Sequence, residues 1–134
     1  KAPEAMLQAA DSPHAEVRVA AIAALGEQIQ TLGDTKAKAK LIQALEDEDA
    51  EVRAEAATLI GKSYDAEDVQ DLLVKRLADT NNQVRKNAAL SLMKLGAIDS
   101  IESLTSAERK ESEGDVKKVL EVAIQILKRD ANQV

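Results

Sequence analysis

The sequence predicts an all-α protein built as a solenoid of helix pairs, and three observations predict it. The first is a recurring phrase: EVRVAAIAALG from Glu16 to Gly26, EVRAEAATLIG from Glu51 to Gly61, QVRKNAALSLMKLG from Gln83 to Gly96, and a worn form, DVKKVLEVAIQIL, from Asp115 to Leu127. Aligned on the Val–Arg pair, the anchors are Val17, Val52, Val84 and Val116, spaced by 35, 32 and 32 residues. Periods of this size mark stacked helix pairs. The second is helical spacing of apolar residues after each anchor. The third is composition: 45% hydrophobic residues with 1% aromatics, Tyr64 alone, so the core must be Ala, Leu, Ile and Val, which favours close helix-on-helix packing.

The stripes define the second helix of each unit. They run Val52, Ala56, Leu59, Ile60, then Val84, Ala88, Ser91, Leu92, Leu95, then Val116, Leu120, Ala123, Ile124, Leu127, the i, i+4, i+7, i+8 pattern of an amphipathic helix. A leading helix precedes each anchor, carried by Leu41, Ile42, Leu45, by Val69, Leu72, Leu73, Leu77, and by Ile98, Ile101, Leu104. In the first unit it is short, Pro3 to Ala10. The intervening turns, Asp11–His14, Asp47–Ala50 and Asp79–Asn82, are rich in residues that cap a following helix. Gly26, Gly61 and Gly96 stand where the second helices are expected to stop in a left-handed residue. The fourth turn, Ser106 to Gly114, is longer and acidic, with Glu108, Glu111 and Glu113, and is expected to be the least ordered part. The units are placed at 3–30, 34–63, 66–96 and 97–130, within one domain of 134 residues.

With 24 acidic and 18 basic residues the net charge is −6, which opposes attraction to nucleic acid phosphates. No cysteine is present, so disulfides and thiolate metal sites are excluded. No apolar run approaches the roughly 20 residues a bilayer span needs. A soluble protein is expected, with the cytoplasm the favoured compartment. The opening Lys-Ala-Pro suggests a piece of a longer protein.

Chemistry-bearing residues are sparse. His14 is the single histidine and lies in a turn, too little for a triad or a catalytic metal site. The acidic runs Glu46–Asp49 with Glu51, and Asp65, Glu67, Asp68, Asp71, lack the alternating ligands and turn glycine of a calcium loop and read as helix N-terminal acids. No Gly-rich phosphate loop occurs. Lys36, Lys38 and Lys40 read as a solvated helix face. No catalytic residue, metal or cofactor is expected.

The pattern resembles HEAT repeats, through Leu45-Glu-Asp47 with Val52-Arg53, Ala56-Ala57 and Gly61, and Leu77-Ala-Asp79 with Val84-Arg85, Ala88-Ala89 and Gly96. The first unit matches in Val17-Arg18, Ala20-Ala21 and Leu25-Gly26; the fourth departs, with Lys117 for Arg and no closing Gly. The resemblance implies a right-handed α-solenoid of about four HEAT-like helix-pair repeats, about eight helices. It also implies a ladder in which Asp47, Arg53, Asp79 and Arg85, helped by Arg18, fix the stacking register, an arrangement that suits Arg's planar fork. The alternative use of Arg18, Arg53 and Arg85 is a basic strip for phosphate or an acidic peptide.

HEAT-like hydroxylases use His-Glu motifs for iron, and no His-Glu dipeptide occurs here. HEAT-like DNA glycosylases use a basic, aromatic concave surface, and this chain has neither Trp nor Phe. In such stacks the second helices line the concave face. That singles out Glu55 and Lys62, then Lys86, Leu90 and Lys94, then Val119 and Val122 as partner-binding residues. The function expected is a non-enzymatic scaffold for a peptide or partner protein, with no nucleic acid and no membrane span. The alternatives are an accessory subunit resembling HEAT-like bilin lyase components of light-harvesting systems, and a purely structural segment of a larger solenoid.

Overall fold

The computed structural model describes residues 4–32 and 35–133. Among them are eight α-helices and no strand: α1 Glu4–Ala9, α2 Ala15–Leu32, α3 Thr35–Ala44, α4 Ala50–Ser63, α5 Ala66–Arg76, α6 Asn82–Lys94, α7 Ile101–Lys110 and α8 Gly114–Asn132, with a 3-10 turn at Ile98–Ser100. The chain is all-α, of the helix-pair repeat class that builds α-solenoids. It divides into two compact units, one ending at Ser63 and the other beginning at Tyr64.

In the first unit α1 and α3 pack on α2, and α4 packs on α2 and α3. Ile22 and Leu25 of α2, Leu41 of α3, and Val52, Ala56, Ala57 and Ile60 of α4 are buried. The alanines keep α4 slim, so it lies close to its neighbour. Gly26 takes this furthest. A Cβ built there would lie 2.8 Å from Leu59 Cδ2, so the glycine admits the Leu59 side chain against the α2 backbone. It does not end the helix: α2 continues to Leu32, and Gly61 is likewise inside α4. The stop expected at these two glycines is therefore corrected, because among the described residues the left-handed conformation occurs at Gly96 alone, φ 66°. There the Ala97 N–H reaches back to the Leu92 carbonyl at 3.1 Å and closes α6. At the start of this unit α1 has six residues, and the anchor Val17 is 39% exposed where Val52 is 1%.

In the second unit α5 packs on α6, α6 on α8 and α7 on α8. Its core is Val69 and Leu73 of α5, Val84, Ala88 and Leu92 of α6, Leu104 of α7, and Val116, Leu120 and Leu127 of α8. Side chains begin the helices as the turn composition suggested. Asn81 accepts from the Gln83 and Val84 amides at 2.9 and 3.2 Å, and Asp49 from the Glu51 and Val52 amides at 2.9 and 3.3 Å. The fourth turn differs from expectation. Residues up to Lys110 are helical, and Glu111 is fixed by two hydrogen bonds from Arg85.

Gly26→Ala removes the helix penalty of glycine, about 1 kcal/mol, yet drives a methyl into Leu59. The substitution is expected to leave stability unchanged or lower it with Leu59 present, and to raise it in a Leu59→Ala background. Urea unfolding of the four proteins measures this; additive effects would show that the close approach carries no energy.

Candidate functional site

One arrangement recurs at every turn. The residue five before each anchor valine, namely Ser12, Asp47, Asp79 and Glu111, accepts through its side chain from the backbone amide two residues on. These bonds are His14 N to Ser12 Oγ at 3.1 Å, Asp49 N to Asp47 Oδ1 at 2.9 Å, Asn81 N to Asp79 Oδ1 at 3.0 Å and Glu113 N to Glu111 Oε2 at 3.1 Å. The carbonyls of the first three accept from the Arg that follows the anchor: Arg18 to Ser12 at 2.8 Å, Arg53 to Asp47 at 2.8 Å and Arg85 to Asp79 at 2.9 Å. Each Arg thus ties its own turn to its own helix. Lys117 takes the same place in the fourth repeat but reaches the Glu108 carbonyl and carboxylate, each at 2.9 Å.

In Arg18 and Arg85 the rest of the guanidinium reaches into the next repeat. Arg18 Nε and Nη2 donate to the two Asp47 oxygens at 2.9 Å each, and Arg85 Nε and Nη2 to the two Glu111 oxygens at 2.8 Å each. Such forked pairs are strong and directional. Arg85 Nη2 also reaches Asn82 Oδ1 at 2.6 Å. Asp79 takes a longer contact from Arg76 Nη1 at 3.5 Å. Glu111 and Ser12 were missed as members of the ladder. Register alone could have found Glu111, since it stands five residues before Val116 as Asp79 does before Val84.

The ladder sets the charge states. The Arg85 hydrogen bonds hold the Glu111 carboxyl below the usual carboxylate range despite its burial. Burial pushes the Asp47 carboxyl up, but the Arg18 bonds and the Asp49 amide outweigh it, and the net direction is down. Asp115 is lowered by its hydrogen bond from Lys86 at 3.0 Å.

The ladder also borders clefts. In the second unit a cleft of about 460 Å³ lies beside the Arg85–Glu111 pair, with Val74, Leu77 and Ala78 at the end of α5 on one side and Ser103, Ser106, Ala107 and Lys110 of α7 on the other. In the first unit a cleft of about 630 Å³ occupies the corresponding place beside Arg18 and Asp47. Its lysine, Lys40, is paired with Asp11.

The second helices carry the residues singled out for a partner. Glu55 is half-buried and Lys62 exposed on α4. On α6 and α8, which pack together, Leu90 and Val119 are half-buried, Lys94 is exposed and Val122 is 44% exposed. Lys86 is tied to Asp115, which leaves Lys94 as the more accessible cation of the α6 set. His14 is exposed in its turn. Among the described residues no helix is long and apolar enough to cross a membrane, and no group of three His, Asp or Glu side chains is placed to hold a metal ion.

A family model of HEAT repeats matches residues 3–79 and 38–125. The chain belongs to the HEAT-repeat family. Among its relatives, bilin biosynthesis protein MpeU of Synechococcus sp. (strain WH8020) is 48% identical over 123 residues, 92% of this chain and 41% of MpeU. The chain therefore spans less than half the length of that relative. The crystal structure of an engineered protein, a Northeast Structural Genomics Consortium target, matches with a TM-score of 0.66 at 24% identity, over 92% of this chain and 61% of that one; this likeness concerns the fold alone. MpeU overturns the expectation of a module without enzymatic activity, because a protein sharing nearly half its residues over this HEAT-repeat segment is named for biosynthesis.

Glu111→Gln keeps the shape of the ladder but leaves Arg85 without its charge partner. The expected loss is about 1–3 kcal/mol at pH 7, between the values for exposed and buried pairs. Glu111 has a lowered folded-state pKa, so its contribution is complete above the ordinary carboxylate value of about 4 and is lost as pH falls through the lower folded value. The gap between wild type and variant should therefore close in acid, as followed by urea unfolding across pH; a gap that persists unchanged below pH of about 3 would assign the effect to shape.

Proposed function

We propose that this chain is the helical-repeat part of a protein that processes a bilin, holding the pigment and presenting it to an acceptor protein. The observation that carries the reading is the 48% identity to bilin biosynthesis protein MpeU across 92% of the chain. At that identity the fold and the helix registers are shared over nearly the whole segment. A bilin is an open-chain tetrapyrrole, with an apolar conjugated body and two propionate carboxylates. A surface that holds it needs apolar walls and a few cations, and a mixed surface of this kind suits helix-pair repeats, whose exposed positions are free to vary while the core and ladder stay fixed.

The acceptor is assigned to the second-helix face. Leu90 of α6 and Val119 and Val122 of α8, helices that pack together, are the apolar residues assigned to it, with Lys94 of α6 exposed and Lys86 held by Asp115. An apolar centre edged by charge is the usual make-up of a protein contact.

Mixing the folded chain with biliverdin is expected to strengthen the red absorption band relative to the near-ultraviolet band and to induce visible circular dichroism, because a held bilin adopts one extended, chiral conformation. An unchanged pigment spectrum with saturating folded protein would sink the bilin reading. The acceptor assignment is tested separately. A Leu90→Glu, Val122→Glu double variant should lose about tenfold or more in affinity for a light-harvesting apoprotein, about 1.4 kcal/mol, while its bilin spectrum stays as in wild type.

A further inference from the structure

The cleft between α5 and α7 has a donor set that the ladder leaves unused. Ser103, Ser106 and Lys110 follow one another along the cleft side of α7 at helical spacing. Among the described residues, no group bonds to the hydroxyls of Ser103 or Ser106 or to Lys110 Nζ. The two serines are half-buried and the lysine is exposed at the helix end. Facing them, Val74, Leu77 and Ala78 make an apolar wall.

The neighbouring charges are already matched. Both Glu111 oxygens take the Arg85 fork, and Asp79 takes the Asn81 amide and Arg76. Lys110 is therefore the cation of the cleft that has no carboxylate opposite it, and it gives the lining an unmatched positive charge. The corresponding cleft of the first unit lacks this feature, since Lys40 is spent on Asp11. A volume of about 460 Å³ falls in the range of small-molecule sites. Donors on one wall and apolar side chains on the other select an anion attached to an apolar body.

We infer that the α5–α7 cleft recognises a carboxylate on an apolar, ring-bearing ligand, and that in bilin binding it takes a propionate edge of the pigment, with Lys110 and Ser106 as its donors. The inference rests on the bilin reading above and gives it a location on the first-helix side, apart from the second-helix face assigned to the acceptor.

The test titrates biliverdin and its dimethyl ester into the wild-type chain and into Lys110→Glu, Lys110→Met, Ser106→Ala and Lys128→Glu, following pigment absorbance, with far-ultraviolet circular dichroism to check folding. Lys128→Glu matches the charge change at an exposed site on α8. Expected are a loss of about tenfold in biliverdin affinity for Lys110→Glu, smaller losses for Lys110→Met and Ser106→Ala, wild-type affinity for Lys128→Glu, and weak ester binding by every protein. Biliverdin bound equally well by the folded Lys110 variants overturns the cleft and leaves the bilin reading standing. Equal losses in Lys110→Glu and Lys128→Glu, or equal affinity for diacid and ester in the wild type, overturn it as well. No binding by the wild-type chain overturns both.

Discussion

The structure depends on one side chain used twice. Arg85 gives Nη1 to the carbonyl of its own turn and its Nε–Nη2 fork to Glu111 of the following repeat, and Arg18 does the same with Ser12 and Asp47. Apolar stripes built from Ala, Leu, Ile and Val supply the burial that holds the helices together, but such surfaces slide at modest cost. A planar fork with fixed donor directions does not. Each forked pair therefore joins one repeat to the next with fixed donor directions, at the price of a pair of charges placed largely out of water.

That requirement explains which repeat positions tolerate change. The residue five before the anchor can be Ser, Asp or Glu, because what its own turn needs is an oxygen able to accept the amide two residues on. In the second and fourth repeats it must also offer two oxygens to the preceding Arg. The Ser12 side chain, in the first repeat, supplies the turn bond alone. Glu111 is longer than Asp by a methylene and sits in a turn that the sequence spaces differently, with α7 extending to Lys110. Its extra reach fits that altered approach while keeping both oxygens on Arg85.

The repeat, the helix pairs and the turn caps were legible in the sequence because each is local: a period, a stripe and a capping residue near the helix start. Three features were not. Gly26 and Gly61 read as helix stops, since a glycine after an apolar stripe looks the same whether it ends the helix or thins it for a neighbour; the difference lies in Leu59, 33 residues away. Glu111 was hidden by a departure from Asp and by the acidity of its surroundings, although its register was correct. The cleft lining could not be read at all. Val74 and Ser106 belong to different helices and meet only once the two helix pairs are stacked, and nothing in their spacing marks them.

Function followed the same division. Positions fixed by the ladder and core say what the repeat is, and are common to proteins with many roles. The positions that can distinguish one role from another are the exposed ones, where Lys110 and Lys40 illustrate the point. Both are lysines beside a cleft at a repeat junction, yet Lys40 faces Asp11 and Lys110 faces apolar side chains. A lysine with a carboxylate partner contributes to stacking. One without, beside free hydroxyls and an apolar wall, keeps its charge available for a carboxylate that a ligand would bring, the pairing that Asp11 completes for Lys40 in the first unit.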